Sequence, residues 1–492
     1  MTIRQLRLIS ISYLMLPNLL FFHFWTGQLI GVLGLGICAS ILFYEFRDSA
    51  FSGEVIFNAN DLSKIALCSV MFCLLSGVCG VFYQTNDHWA HNTKFFELFK
   101  YDWPIRIPTG GPVVGYYYGY YLVPALFSKM AGYFSESAIF VWTVLGMALG
   151  ICWLYTSVGQ KLRYVLLVLM VGDFAHVCNS LFSKLFRYPY SFGDFGIEVW
   201  SNFENLFWVP NQIIPSMIVG GMLVHCIRSE IAPERMVLPI CLSFWWAVFP
   251  AFASSILVAI LIIKKWISRS LPTSAPEFTC TILLPCICVV PVLLLFLSHE
   301  RPAVVGFIWD FADRSNSRIL EYVLNVGVNA TVLAFLFRYF SVNDRNQASA
   351  FPFYVAVCLI LTMPLVRIGK VNDFLFRGFM PLLVVAGLCI YQYLPNRGFN
   401  RRFSSVKRAG FAFLICFLVV GPSFLAIGRV IRASEFNRIT ARIFPGRVHF
   451  EPVPYDFYPN VYEALRARWS QAEADQYLGK KNSIYERLIA PE

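Results

Sequence analysis

Asp87, His88, His91 and Lys94 crowd into two helical turns of a segment, 86–108, that gathers two histidines, three acids and several basic groups into an otherwise oily chain. Read as a helix capped by Thr85, the spacing of Asp87, His91 and Lys94 at i, i+4 and i+7 sets them on one face. A carboxylate beside a cation is the pair that group transfer from a phosphate needs. The base removes a proton from an acceptor hydroxyl, and the cation holds the charge left on the departing phosphate. Asp87, His88 and His91 are the catalytic candidates. The two histidines with Asp87 also have spacing compatible with a metal site, but no third clear ligand follows in the sequence. No metal site is assigned, and a divalent cation is the one cofactor left open. The opposite face of this helix, with Trp89, Phe96 and Phe99, is aromatic enough to rest on lipid headgroups or on neighbouring spans.

Three further polar constellations sit at the ends of apolar runs, where an ionisable group costs about 2.5–3.5 kcal/mol at the bilayer centre and so needs a reason. Asp173 and His176 stand at i, i+3. In segment 208–215, Trp208, Asn211 and Gln212 surround a helix start broken by Pro210 and Pro215. Segment 367–381 carries Lys370, Asn372, Asp373 and Arg377. Each also fits a plainer reading: a satisfied polar pair, a kink, a salt-bridged loop. Taken together they fit a lipid phosphate. Lys94, Arg106, Lys370 and Arg377 are the phosphate-binding candidates, with arginine favoured for its bidentate fork. Asp173, His176, Trp208, Asn211, Gln212, Asn372 and Asp373 are the substrate-binding candidates.

The elements that hold these groups must be membrane helices. Of 492 residues 57% are hydrophobic and 14% charged, which excludes a soluble globular chain and implies an all-α polytopic membrane protein whose partner is the lipid bilayer. Hydrophobic runs predict about 13 transmembrane helices: 8–25, 28–45, 64–83, 113–133, 137–157, 163–178, 206–227, 236–264, 275–297, 319–341, 350–368, 377–394 and 409–430. The aromatic run 116–121 is a candidate re-entrant or tilted piece, and 236–264, broken at Pro250, reads as two short passes. The net charge of +11 gathers in short loops, as the positive-inside bias demands, so no nucleic-acid partner is expected. The basic loop 396–408 and the N-terminus with Arg4 and Arg7 are assigned to the cytoplasm, and the start reads as a retained first anchor. Loop 84–112, loop 369–374 and the tail then fall outside. Fourteen cysteines lie mostly inside apolar runs and read as packing residues. The division is a transmembrane domain, 1–432, with 84–112 as an external juxtamembrane loop, and an external tail, 433–492, read as a small cap.

An acidic residue just outside an early span, a juxtamembrane helix, an aromatic span and many further spans resemble the GT-C superfamily of integral membrane glycosyltransferases. The strings DHWAHN from Asp87, WP at Trp103, YYYGYYLVPA from Tyr116, FWVPNQ from Phe207 and NDFLFR from Asn372 are similar to a group of bacterial multispanning membrane proteins of uncertain activity. One departure is that Asn211 and Gln212 follow Trp-Val-Pro where the pattern has Gln-His. The resemblance implies an inverting transferase that takes a sugar from a polyprenyl-phosphate donor to a cell-envelope glycan or glycolipid. Asp87 would be the base, and Arg377 with Lys370 would contact the donor phosphate. It also implies the bacterial cytoplasmic (inner) membrane, with the active site on the external, periplasmic side. Two rivals stay open. An envelope-glycan polymerase or ligase is expected to carry a large external loop rich in arginine. A lipid-linked sugar transporter or flippase would use Asp173, His176 and Asp373 as an ion path, and calls for inverted repeats and paired broken helices.

Overall fold

The computed structural model describes residues 1–51, 53, 55–174, 185, 199–268, 274–299, 304–310, 319, 322–341, 348–369, 372–394, 413–419, 421 and 423–491. His176, Lys370 and the basic loop 396–408 lie outside the described residues. The described residues are mostly helical. The first helices are α1 (Ile3–Phe24), α2 (Gln28–Arg47), α3 (Ala59–Leu75), α4 (His88–Lys100), α5 (Gly119–Ala131), α6 (Glu136–Ser157) and α7 (Leu162–Leu169). The middle holds α8 (Asn202–Trp208), α9 (Pro210–Arg228), α10 (Val237–Ser243), α11 (Val248–Ser268), α12 (Ala275–Leu297) and α13 (Val323–Ser341). Then come α14 (Ala350–Thr362), α15 (Asp373–Phe376) and α16 (Phe379–Tyr391), and the tail adds α17 (Ser423–Glu435), α18 (Arg438–Ile443), α19 (Val461–Arg468), α20 (Gln471–Asp475) and α21 (Ile484–Leu488).

Among the described residues seven helices are long and apolar enough to cross a membrane: α1, α2, α6, α11, α12, α13 and the run Asp373–Tyr391. Several other apolar stretches are not continuous helix. The stretch 113–133 stays irregular to Tyr118 and yields the 13-residue α5. Segment 206–227 breaks at Val209, whose non-helical backbone precedes Pro210 at the first position of α9, where a missing N–H costs nothing. Helix α3 stops at Gly77, which adopts φ +78, a left-handed conformation that glycine enters without a Cβ penalty.

The centre of the bundle is α9, buried along most of its length between α6 and α16. Small residues let these backbones close: a Cβ at Gly221 would meet Trp153 of α6 at 2.7 Å, and one at Gly220 would meet Val384 of α16 at the same distance. That is how helices associate where lipid offers no hydrophobic contrast. By contrast α2 turns Leu29, Val32, Leu33 and Phe43 outward, as a lipid-facing helix does.

The two ends of the bundle differ. At one, the N-terminal ammonium donates to Phe57 O at 2.9 Å, and the buried Arg7 forks onto Glu45 with both contacts at 2.8 Å. The other end gathers the α1–α2 turn, segment 84–118, the two-stranded ribbon and the tail. In the ribbon, β1 (Val305–Phe307) pairs antiparallel with β2 (Val366–Ile368), Gly306 opposite Arg367. The tail crosses this whole end. Val453 N donates to Gln84 Oε1 at 2.7 Å, Gly115 N to Tyr477 O at 3.0 Å, Lys480 N to Ser298 O at 3.0 Å and Gly27 N to Ile489 O at 2.7 Å. The expected small cap is a strap tied to four separate elements.

Candidate active site

The strap closes a cavity of about 530 Å³ at this end of the bundle. Its floor and sides come from α4, the 116–117 turn, the α8–α9 break and the start of the Asp373–Tyr391 run, and α19–α20 supply the remaining wall. Asp87, His91 and Lys94 all line it, as do Trp208, Gln212 and Arg377. Residues far apart in sequence thus share one chamber.

Helix α4 starts later than the expected Thr85 cap. The Thr85 hydroxyl donates instead to Phe207 O at 3.1 Å and meets His88 Nδ1 at 3.2 Å, so the helix begins at His88 with Asp87 as an N-cap that makes no side-chain capping bond. This leaves the Asp87 carboxylate directed to the cavity. Asp87 is partly exposed and lines this chamber, and burial pushes its carboxyl up to about 6 against the opposing pull of Arg377 and Lys94. A carboxyl in that range is poised for proton transfer near neutral pH.

Lys94 is buried, with Nζ 4.1 Å from the centre of the Tyr116 ring and 4.5 Å from that of Tyr121. Aromatic faces hold a desolvated ammonium by cation–π attraction. Burial still drives its pKa well below the lysine range; Asp87 resists, Arg377 adds to the lowering, and Glu97 resists again. Arg377 sits one turn beyond Asp373 and pairs with it at 3.0 Å.

Both ring nitrogens of His91 are committed. Nε2 lies 2.8 Å from Trp208 O, which only accepts, so Nε2 carries the proton and Nδ1 accepts from the Tyr121 hydroxyl at 2.6 Å. Burial, with Lys94 next in weight, holds the ring well below the usual histidine range and so neutral. His91 therefore positions α4 against the carbonyl freed by the α8–α9 break, with both ring nitrogens held in hydrogen bonds within the protein. His88 is buried behind the cavity wall, pushed down to about 4 by burial, and does not line the chamber. Among the described residues no group of three or more His, Cys, Asp or Glu side chains is gathered to hold a metal ion.

Comparison with protein-family models, with curated proteins and with solved structures gave no match.

Other sequence-based assignments move. Arg106 does not reach the cavity; its guanidinium donates to Gly111 O at 2.9 Å and Pro491 O at 2.8 Å and pairs with Glu486 at 3.2 Å. It fastens the chain's last turn, where its charge is neutralised. Asp173 adopts φ 54 beside Gly172 and takes a backbone bond from its N–H to Val199 O, away from the cavity lining. Asn211 is buried outside the lining, and Gln212 reaches in and donates to the Tyr117 hydroxyl at 3.1 Å. Asn372 takes a left-handed turn and donates to Pro364 O at 3.1 Å, and Asp373 serves as the counter-charge to Arg377; neither lines the cavity.

Sequence reasoning missed one half of the wall. Tyr116 and Tyr117 were legible only as an aromatic run, and Arg367 as part of a polar loop. Leu465, Trp469, Glu473 and Tyr477 belong to the tail. Their signal was the repeated cap pattern: Asn460 before Glu463 and Ser470 before Glu473 start two short helices. Glu97 was also missed. Fully buried, it accepts from the Tyr118 hydroxyl at 2.9 Å and from Val461 N, so α4 carries the acceptor that starts α19. Burial pushes its carboxyl up to about 7.

Proposed function

We propose that this protein is an inverting membrane glycosyltransferase of GT-C type that moves one sugar from a polyprenyl-phosphate donor to a cell-envelope glycan or glycolipid. The observation that carries this reading is the meeting, in one chamber, of a carboxylate poised near 6 with two cations on different elements, Lys94 and Arg377. The wider reading takes about 13 membrane crossings, the bacterial inner membrane and a periplasmic site, with the tail on that face.

The chemistry follows from the charges. Asp87 removes the proton of an acceptor hydroxyl as that oxygen bonds to the anomeric carbon. The bond from that carbon to the phosphate oxygen breaks, its electron pair leaves with the phosphate, and the configuration inverts. Arg377 and Lys94 hold the growing negative charge from positions largely withdrawn from solvent, where each contact counts for more than in solution. An arriving phosphate adds a further anion beside Lys94 and so favours the charged ammonium that burial disfavours. The indole of Trp208 offers an apolar face to the first isoprene units, and the rings of Trp469 and Tyr477 offer theirs to a sugar.

Donor binding tests the reading. A short-chain polyprenyl phosphate titrated into the purified protein is expected to bind, and Arg377→Ala to weaken it by about 10–100-fold, the worth of one charge-assisted contact of roughly 1.5–3 kcal/mol. Arg377→Lys, which keeps the pairing with Asp373, is expected to fall between. Equal affinity in all three would remove the phosphate role. Binding without transfer would turn the reading to a lipid-linked sugar flippase, and consumption of a diphosphate-linked oligosaccharide to a polymerase or ligase.

A further inference from the structure

The tail wall of the cavity differs in chemistry from the wall it faces. The positive groups, Lys94, Arg367 and Arg377, belong to α4, β2 and the start of the Asp373–Tyr391 run. The tail brings no cation into the lining. It brings a second carboxylate, Glu473, flanked by Trp469 and Tyr477. A carboxylate repels a phosphate, so this wall is unsuited to the donor's charged end. It suits a ligand with many hydroxyl donors and apolar C–H faces, which is the chemistry of a sugar.

The wall is built rather than incidental. Glu473 sits at the third position of α20, where its backbone N–H donates to the Ser470 hydroxyl at 3.2 Å. Gln476 Nε2 donates to Glu473 Oε2 at 2.8 Å, which fixes the carboxylate plane and leaves Oε1 for a ligand. Tyr477 packs tilted against Tyr116, ring centres 4.4 Å apart, and Tyr116 also holds Lys94, so the tail wall and the cationic wall meet at one aromatic seam. The close approach at Gly479 keeps this register: a Cβ there would stand 2.3 Å from Val113 O. Opposite, the cavity-lining Asn205 and Gln212 each keep a buried polar side-chain atom, Nδ2 and Oε1, with no hydrogen-bond partner among the described residues.

We infer that the α19–α20 strap is the acceptor subsite: Glu473 accepts hydrogen bonds from sugar hydroxyls while Trp469 and Tyr477 stack on the sugar face. The term acceptor rests on the transferase reading. The sugar-binding role of Glu473 does not need it, so the test reads binding.

The full-length protein in detergent is titrated with a panel of methyl disaccharides differing in hydroxyl stereochemistry, followed by the quenching of tryptophan fluorescence, and separately with a short-chain prenyl phosphate. At least one disaccharide is expected to saturate. Glu473→Gln is expected to weaken it about tenfold, the loss of one charge-assisted hydrogen bond, and Trp469→Ala to do likewise, with prenyl-phosphate affinity unchanged in both. Glu473→Asp, which keeps the charge, should recover part of the loss. No disaccharide binding, variants within twofold of wild type, or equal weakening of prenyl phosphate would each overturn the assignment. Sugar binding that depends on Glu473, in a protein that transfers no sugar, would leave the subsite standing and remove the transferase reading.

Discussion

Replacing Asp87 by asparagine should make the protein more stable at alkaline pH while stopping its chemistry. The carboxyl titrates near 6 instead of 3.8 because burial outweighs the attraction of Arg377 and Lys94. The folded protein therefore holds this proton more tightly than the unfolded chain does. The resulting stability is fully present below the unfolded value and is lost as pH rises through about 6. Each tenfold in proton affinity is worth about 1.4 kcal/mol, which sets an upper bound of about 3 kcal/mol on that loss. Water in the cavity screens the charge, leaving about 1–3 kcal/mol. Asparagine has no proton to give up and escapes the loss. Thermal melts in detergent should show Asp87→Asn above wild type at roughly pH 8 and level with it near pH 4, where both side chains are neutral. Coincident melts at the higher pH, or a less stable variant, would refute the electrostatic reasoning, whatever the substrate. In the wild type, turnover should fall as pH drops through about 6, because the base is then protonated.

Three other substitutions test the frame around the site. Glu97→Leu strands the Tyr118 hydroxyl and Val461 N–H at about 1–3 kcal/mol each, so the tail should become sensitive to limited proteolysis; an equally resistant variant would show that Glu97 does not hold the strap. Arg106→Ala removes contacts to Gly111, Glu486 and Pro491 and should speed hydrogen exchange in the last ten or so residues, with prenyl-phosphate affinity unchanged; weaker binding would restore Arg106 to the phosphate site. Arg7→Met leaves Glu45 buried without its ion-pair partner and should cost about 3–5 kcal/mol, seen as a large drop in melting temperature; a small drop would show that the pair contributes little to stability.

Much of the membrane character was legible in sequence because hydrophobic length is a local property. The helical face of Asp87, His91 and Lys94 was legible for the same reason, since i, i+4 and i+7 need no tertiary knowledge. What local pattern could not give was which polar atoms would be used up. The histidine pair looks catalytic until the α8–α9 break offers the Trp208 carbonyl and α5 offers the Tyr121 hydroxyl, after which His91 has no nitrogen left. Arg106 looks like a phosphate ligand until the chain's end, hundreds of residues away, arrives with Glu486 and the Pro491 carbonyl. The aromatic face of α4 reads as a lipid surface, yet Trp89 packs on Phe457 and Tyr458 and lies under the Arg468 guanidinium at 3.6 Å. The tail itself was invisible as part of the site because its polar, proline-rich composition is that of any surface segment. The buried acceptor at Glu97, with the ties at Gln84, Gly115, Ser298 and Gly27, tells it where to lie.

The central claim is that Asp87 removes a proton from a hydroxyl while Lys94 and Arg377 receive a phosphate. The most direct measurement is consumption of donor by the purified protein from a panel of polyprenyl-phosphate sugars, with a membrane glycolipid extract as acceptor and Asp87→Asn alongside. Loss of one donor with release of polyprenyl phosphate, by the wild type alone, is the predicted result. Equal loss in the variant, or no loss of any donor while the lipid still binds, would contradict the claim.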